Sequence, residues 1–192
     1  VKASVTNIND DPPGISIDPV GGLETTETGG TATFKVVLLS GPSDDVSFNL
    51  STSNPAEGEI SDSTVIFTTT NWSTEQTVTV SGLDDKIDDG DIDYTIEISS
   101  SSNDPNYSVL KDTSISFTNS DDDLAGLTIS GRSGLVTTEA GGDTSITIML
   151  NSEPISDVLI ALTSSDSSEG LPDTNSLRFT PSTCCLLYTS PS

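Results

Sequence analysis

The chain matches itself at a spacing of 112 residues without a gap, and this recurrence constrains its fold more than any other feature. Leu23, Thr25-Thr26-Glu27 and Gly29-Gly30 fall on Leu135, Thr137-Thr138-Glu139 and Gly141-Gly142. Further on, Pro42, Asp45-Val46, Leu50, Ser53, Glu57-Gly58 and Phe67-Thr68 return as Pro154, Asp157-Val158, Leu162, Ser165, Glu169-Gly170 and Phe179-Thr180. Across the 72 aligned pairs, residues 1–72 on 113–184, 25 are identical. Shared composition does not produce that many identities in one ungapped register, so the sequence reads as tandem repeats.

Within one period the apolar residues stand at every second position. Ile15 and Ile17 are followed by Ala32, Phe34, Val36 and Leu38, then by Val46, Phe48 and Leu50. Val65 and Phe67, Val78 and Val80, then Tyr94, Ile96 and Ile98 come next, and Ile115 with Phe117 closes the set. A period of two puts one face of a strand in the core and leaves Ser and Thr on the wet face. Seven such runs, punctuated by Gly, Pro, Asn and Asp, predict an all-β chain of tandem immunoglobulin-like antiparallel β-sandwich repeats of about 112 residues. Residues 1–11 are then the last strand of a preceding repeat, 12–123 a complete sandwich, and 124–184 a second repeat cut before its last three strands. That cut leaves Ile146, Ile148, Leu150, Val158, Ile160, Leu162, Leu177 and Phe179 without much of their facing sheet. Residues 124–192 expressed alone are therefore expected to be poorly ordered or to aggregate.

Cys184 and Cys185 are adjacent, which disfavours a mutual bridge, and there is no framework of spaced pairs. The segment Cys185–Ser192 resembles a translated sequencing adapter and is read as a non-native tail. The 112-residue register sets Cys184 opposite Trp72, as a Trp codon interrupted after its second base would.

Thirty Asp and Glu against six Lys and Arg give a net charge of −24, and the chain has no histidine. That charge repels phosphate backbones and anionic lipid, so nucleic-acid binding and direct membrane insertion are not expected. Without histidine the commonest general base and metal imidazole are missing, and no nucleophile elbow or phosphate loop is present. No enzymatic activity is expected.

Three carboxylate-bearing segments stand out among the acidic residues. Asn119-Ser120-Asp121-Asp122-Asp123 ends the last strand of the complete repeat and has a counterpart in Asn7-Ile8-Asn9-Asp10-Asp11. The loop Asp84-Asp85-Lys86-Ile87-Asp88-Asp89-Gly90-Asp91-Ile92-Asp93 precedes the Tyr94 strand, and Glu27 sits in the turn before the Phe34 strand. In a seven-strand sandwich of alternating direction these segments converge at one end. Calcium takes roughly six to eight oxygen ligands from such loops, and a donor set without Cys or His selects a hard cation over zinc or copper. The plainer reading, that acidic loops only solvate an extracellular or salt-tolerant protein, stands beside it.

Gly82-Leu-Asp-Asp85, Asp88-Asp-Gly-Asp91, Tyr94-Thr-Ile96, Asn103-Asp-Pro-Asn-Tyr107 and Asn119-Ser-Asp-Asp-Asp123 together resemble a bacterial Calx-β-type calcium-binding repeat. The resemblance covers residues 12–123 and the first half of the next copy. It implies an immunoglobulin-like sandwich that binds Ca2+, with ligands at Glu27, Asp84, Asp85, Asp89, Asp121, Asp122 and Asp123. Asn54 and Ile92 depart from that family's acidic pattern. Asn7-Ile-Asn-Asp-Asp-Pro-Pro13 more weakly resembles the calcium linker of cadherin repeats.

The function expected from these features is a calcium-stiffened structural or adhesive module of a large secreted or cell-surface protein, with a bacterial source implied. Its partners would be neighbouring repeats of the same chain and a cell-surface protein or glycan. Two alternatives are a carbohydrate-binding accessory domain and a calcium-sensing one. A single Trp and three Tyr offer little material for the aromatic row that the first requires.

Overall fold

The computed structural model describes residues 4–5, 11–183 and 188–191, the last four by their backbone alone. Most of the expected strand at 1–11, including Asn7–Asp10 of the counterpart acidic run, lies outside the described residues, as do Cys184 and Cys185. The described residues form strands and one short 3-10 turn, and none of their helices is long and apolar enough to cross a membrane. The chain divides into two compact units, residues 1–84 with 91–120, and residues 85–90 with 121–192.

The first unit holds β1 (Ile15–Val20), β2 (Glu24–Thr26), β3 (Thr31–Leu38), β4 (Val46–Thr52), β5 (Gly58–Ile60), β6 (Thr64–Phe67), β7 (Gln76–Gly82), β8 (Ile92–Ser102) and β9 (Thr113–Ser120). They form a sheet in the order β1-β3-β7-β5 and a second in the order β2-β9-β8-β4-β6. The alternation in the sequence becomes an alternation in burial. Along β3, Ala32, Phe34, Val36 and Leu38 are buried while the residues between them are exposed or half-buried. Phe34, Val36, Val78 and Val80 come from the first sheet and meet Phe48, Leu50, Phe67, Tyr94, Ile96, Ile98 and Phe117 from the second in one core. Burying a side chain of this size stabilises the fold by about 1.5–3 kcal/mol, so this set supplies most of the drive to fold. The Tyr94 and Phe117 rings stack at 5.7 Å, and Phe48 meets Phe67 edge-on at 6.1 Å. Trp72, half-buried, packs against the same core.

Seven strands were expected and nine are present in this unit. The two additions, β2 and β5, are three residues each, too short to show a period. β2 pairs with β9 in parallel, whereas the other pairings of this unit are antiparallel.

The second unit contains β10 (Leu127–Ser130), β11 (Ser145–Leu150), β12 (Val158–Ala161), β13 (Ser176–Phe179) and β14 (Tyr188–Pro191). They form the sheets β10-β11-β14 and β12-β13. Among its described residues the core is small: Ile148, Leu177 and Phe179 are buried, and Ile129, Ile146, Leu150, Val158, Ile160 and Leu162 pack around them only partly covered.

Candidate metal centre

In the first unit the parallel pairing of β2 with β9 sets Thr25 opposite Asn119 and Thr26 opposite Ser120. The next residue, Glu27, continues the pairing by donating its backbone N–H to the Ser120 carbonyl at 3.1 Å. A tight turn follows, in which the Thr26 carbonyl accepts from Gly29 and Gly30 and the Thr26 hydroxyl accepts from Gly30. The end of β7 lies against this turn, because Gly82 donates to the Gly30 carbonyl at 3.0 Å. A Cβ on Gly82 would overlap the Thr26 carbonyl oxygen and the Asn119 Oδ1, so glycine is required here for close approach. The turn after β2, the exit of β7 and the end of β9 thus meet at one end of this unit. Glu27 is buried, and one of its carboxylate oxygens lies within 4.8 Å of one from Asp84.

Beneath these carboxylates is a buried polar network that sequence reasoning did not identify. Asn119, 1% exposed, accepts from the Thr25 hydroxyl at 3.0 Å and donates through Nδ2 to Glu57 Oε2 at 3.1 Å and to the Leu83 carbonyl at 3.0 Å. The Thr25 hydroxyl has one hydrogen, which Asn119 Oδ1 takes, so Tyr94 is the donor in the 3.0 Å contact between the Tyr94 and Thr25 hydroxyls. Burial pushes the Tyr94 phenol up from its usual range. One asparagine therefore ties β2, the Glu57 loop and the end of β7 together. The available signal was the return of Glu57-Gly58 as Glu169-Gly170, which marked the position without revealing its partner.

The second unit holds the remaining expected ligands, Asp85, Asp89, Asp121, Asp122 and Asp123. Asp85 and Asp89 bring carboxylate oxygens within 4.8 Å of each other, and so do Asp121 and Asp123. Backbone donors hold these side chains in place. Asp85 accepts from Ile87 N–H at 2.7 Å, and Asp121 accepts from the N–H groups of Asp123 and Gly90, each at 2.7 Å. Asp88 accepts from Ala125 N–H at 2.6 Å. Partial loss of water and then the charges of Asp85, Asp121 and Asp88 push the Asp89 carboxyl above its usual range. The side chain is exposed, so the crowding of carboxylates outweighs the loss of water there. Asp122 is exposed on the same run.

Each unit therefore presents carboxylates held at ligand spacing, in donor sets of oxygen alone. Asp84 and Asp85 are joined by one peptide bond, as are Ser120 and Asp121, so the two sets are also neighbours along the chain. The ion pairs Lys35–Glu75 and Arg178–Asp157 engage carboxylates elsewhere. Such a donor set fits calcium, which accepts carboxylate and carbonyl oxygen in irregular geometry.

No family model matches the chain, and no curated protein matches it. Among solved structures it is similar to the calcium-binding domain CBD12 of CALX1.1 at 16% identity, covering 91% of this chain and 74% of that one with a TM-score of 0.42. The YadV chaperone aligns at 10% identity over 92% of this chain and 83% of its own, with a TM-score of 0.43. SSP-19, an MSP-domain protein like family member in Caenorhabditis elegans, aligns at 13% identity over 52% of this chain and 92% of its own, with a TM-score of 0.36.

Proposed function

We propose that the chain is a non-catalytic calcium-binding module, built of tandem immunoglobulin-like repeats of the Calx-β type, from a large secreted or cell-surface protein with a structural or adhesive role. The observation that supports it best is the enforced proximity of like charges, Glu27 with Asp84, Asp85 with Asp89, and Asp121 with Asp123. Carboxylates held together this way repel one another, and a divalent cation converts the repulsion into binding. Glu27 and Asp84 are the ligands offered by the first unit, and Asp85, Asp89, Asp121, Asp122 and Asp123 those offered by the second. Calcium on these runs would stiffen the chain where one repeat ends and the next begins.

Because the ion binds the folded form, stability rises as RT ln(1 + [L]/Kd). With a Kd of about 10⁻⁴–10⁻³ M, as extracellular modules use, 10 mM calcium adds about 1.4–2.7 kcal/mol, or about 5–15 °C in Tm. The test is a thermal melt of the full chain with calcium and with chelator, repeated for Asp122→Ala and Asp89→Asn. The reading requires that the calcium shift shrink in both variants. It also requires Asp89→Asn to melt no lower than the parent in chelator, since that substitution removes a crowded charge. Equal midpoints with and without calcium in the parent chain would overturn the proposal.

A further inference from the structure

Asp89-Gly90 is the one place in the sequence where glycine directly follows an aspartate or an asparagine. The order matters because a backbone nitrogen can attack the side-chain Cγ of the residue before it and close a succinimide ring. A Cβ on the attacking residue crowds that approach, and glycine has none. Asp62 and Asp166 are followed by Ser63 and Ser167, whose Cβ atoms stand in the way.

The second unit presents Asp89 in reactive surroundings. Asp89 and Gly90 are exposed and lie outside the strands, so no sheet ladder fixes the torsions that ring closure must change. Gly90 has a φ of 79°, a conformation that glycine adopts freely and other residues rarely do. The Asp89 N–H donates to the Ile87 carbonyl at 2.9 Å. The Gly90 N–H, the group that must lose its proton, donates to Asp121 Oδ2 at 2.7 Å. Asp121 is itself positioned through its other oxygen, which accepts from the Asp123 N–H at 2.7 Å. A carboxylate fixed on the nitrogen about to react is a general base already in place.

We propose that Asp89 is a site of self-modification, at which aspartate isomerises to isoaspartate with Asp121 as the base. The Gly90 nitrogen forms a bond to Asp89 Cγ as its proton passes to Asp121 Oδ2. One Cγ–O bond breaks, and the oxygen leaves as water with that proton and a second from solvent. The ring reopens by adding water at either carbonyl. Opening at the Asp89 backbone carbonyl leaves the chain running through the side chain, with an extra methylene in the backbone and the free carboxylate on Cα. Water is the only co-reactant. The moved carboxylate no longer stands where Asp89 meets Asp85. Combined with the calcium reading, on which this consequence alone rests, isomerisation takes one ligand from the second unit, and the hold on calcium declines with age.

The experiment ages the full chain at neutral pH in chelator and heavy-oxygen water, then maps its peptides by mass spectrometry with electron-transfer fragmentation. The expected result is isoaspartate at residue 89 carrying one heavy oxygen, with Asp62 and Asp166 at background. Asp121→Asn should slow the reaction about tenfold in the folded chain, a modest share of what a positioned base contributes. The same substitution should leave the rate unchanged in urea, where the hydrogen bond is gone. Gly90→Ala should bring residue 89 down to the background of the other two sites. Residue 89 at background in the parent chain overturns the proposal, and so does a folded-state rate that Asp121→Asn leaves unchanged. The calcium-induced rise in Tm should shrink as isoaspartate accumulates, and a constant rise overturns the loss of a ligand. No rise even in fresh protein overturns the calcium reading and leaves the result in chelator standing.

Discussion

Replacing Asn119 by aspartate changes one NH2 group to an oxygen without changing the shape of the side chain, and it isolates the polar network under the candidate ligands. The Nδ2 donations to Glu57 Oε2 at 3.1 Å and to the Leu83 carbonyl at 3.0 Å are both lost. Two carboxylates would then face each other at hydrogen-bond distance in a buried site, where Coulomb repulsion exceeds 5 kcal/mol even at an effective dielectric of about 20. Protonating one of them is cheaper. For an ordinary carboxyl near pKa 4 the cost at pH 7 is about 4 kcal/mol, and the new O–H restores one bond to its neighbour. The Leu83 carbonyl stays unsatisfied at about 1–3 kcal/mol. Asn119→Asp should therefore cost about 5–7 kcal/mol at pH 7, enough to unfold a typical domain, which has about 5–15 kcal/mol in hand. The protonated group binds its proton only in the folded state, so the cost falls by about 1.4 kcal/mol for each pH unit on the way to pH 5. Adding Glu57→Gln removes the facing charge and returns an NH2 donor, and should recover several kcal/mol at pH 7. The assay is urea unfolding in chelator followed by fluorescence. Trp72 is the only tryptophan and packs on the core of the first unit, so it reports that unit. A loss under 1 kcal/mol at pH 7, a loss that does not shrink by pH 5, or no rescue by Glu57→Gln would refute this account.

Three further outcomes are expected. Tyr107, 1% exposed, donates its hydroxyl to the Ser40 carbonyl at 2.5 Å, and Tyr107→Phe should cost about 1–2 kcal/mol in the same urea assay. Gly58→Val should destabilise the first unit by about 1–3 kcal/mol by forcing Tyr94 aside, while Gly170→Val, at the counterpart position, should stay within about 0.5 kcal/mol, as compared by Trp72 fluorescence and by limited proteolysis. Backbone N–H groups of Ser43 and Asn106 hold the Asp104 carboxyl below its usual range. Its stabilising contribution is therefore complete above the ordinary carboxylate pKa and is lost as pH falls through the lowered folded value, so a pH series of melts should show a shallower acid limb in Asp104→Asn.

Alternation was enough to place the long strands, because burying one face writes a period of two into any strand with four or more paired residues. It could not place Glu24–Thr26 or Gly58–Ile60. Three residues carry no period, and β2 is held by a parallel pairing with a strand some ninety positions away. The aspartates were visible because crowded charge is a local property of a sequence, and Glu27 because its turn recurs at 112 residues and matches the repeat family the chain resembles. Asn119, Thr25 and Glu57 were not, since a buried hydrogen bond depends on which distant backbone or side chain arrives opposite, and an Asn next to an acidic run reads as surface. Tyr107 was quoted within a motif, but its contact with Ser40, 67 residues earlier, came only from the fold.

The pairing of β2 with β9 also bears on the order in which the chain can fold. Thr25 and Asn119 are 94 residues apart, so the strand that seats the Glu27 turn cannot be bound until nearly the whole unit has been made. On a ribosome that adds about 5–20 residues each second, this leaves β2 and the turn without their partner for several seconds after they emerge. Contacts of such long range slow folding, and the last strand to be synthesised is the one that closes the first turn. During synthesis the Glu27 end of the unit is thus the last part of it that can be completed.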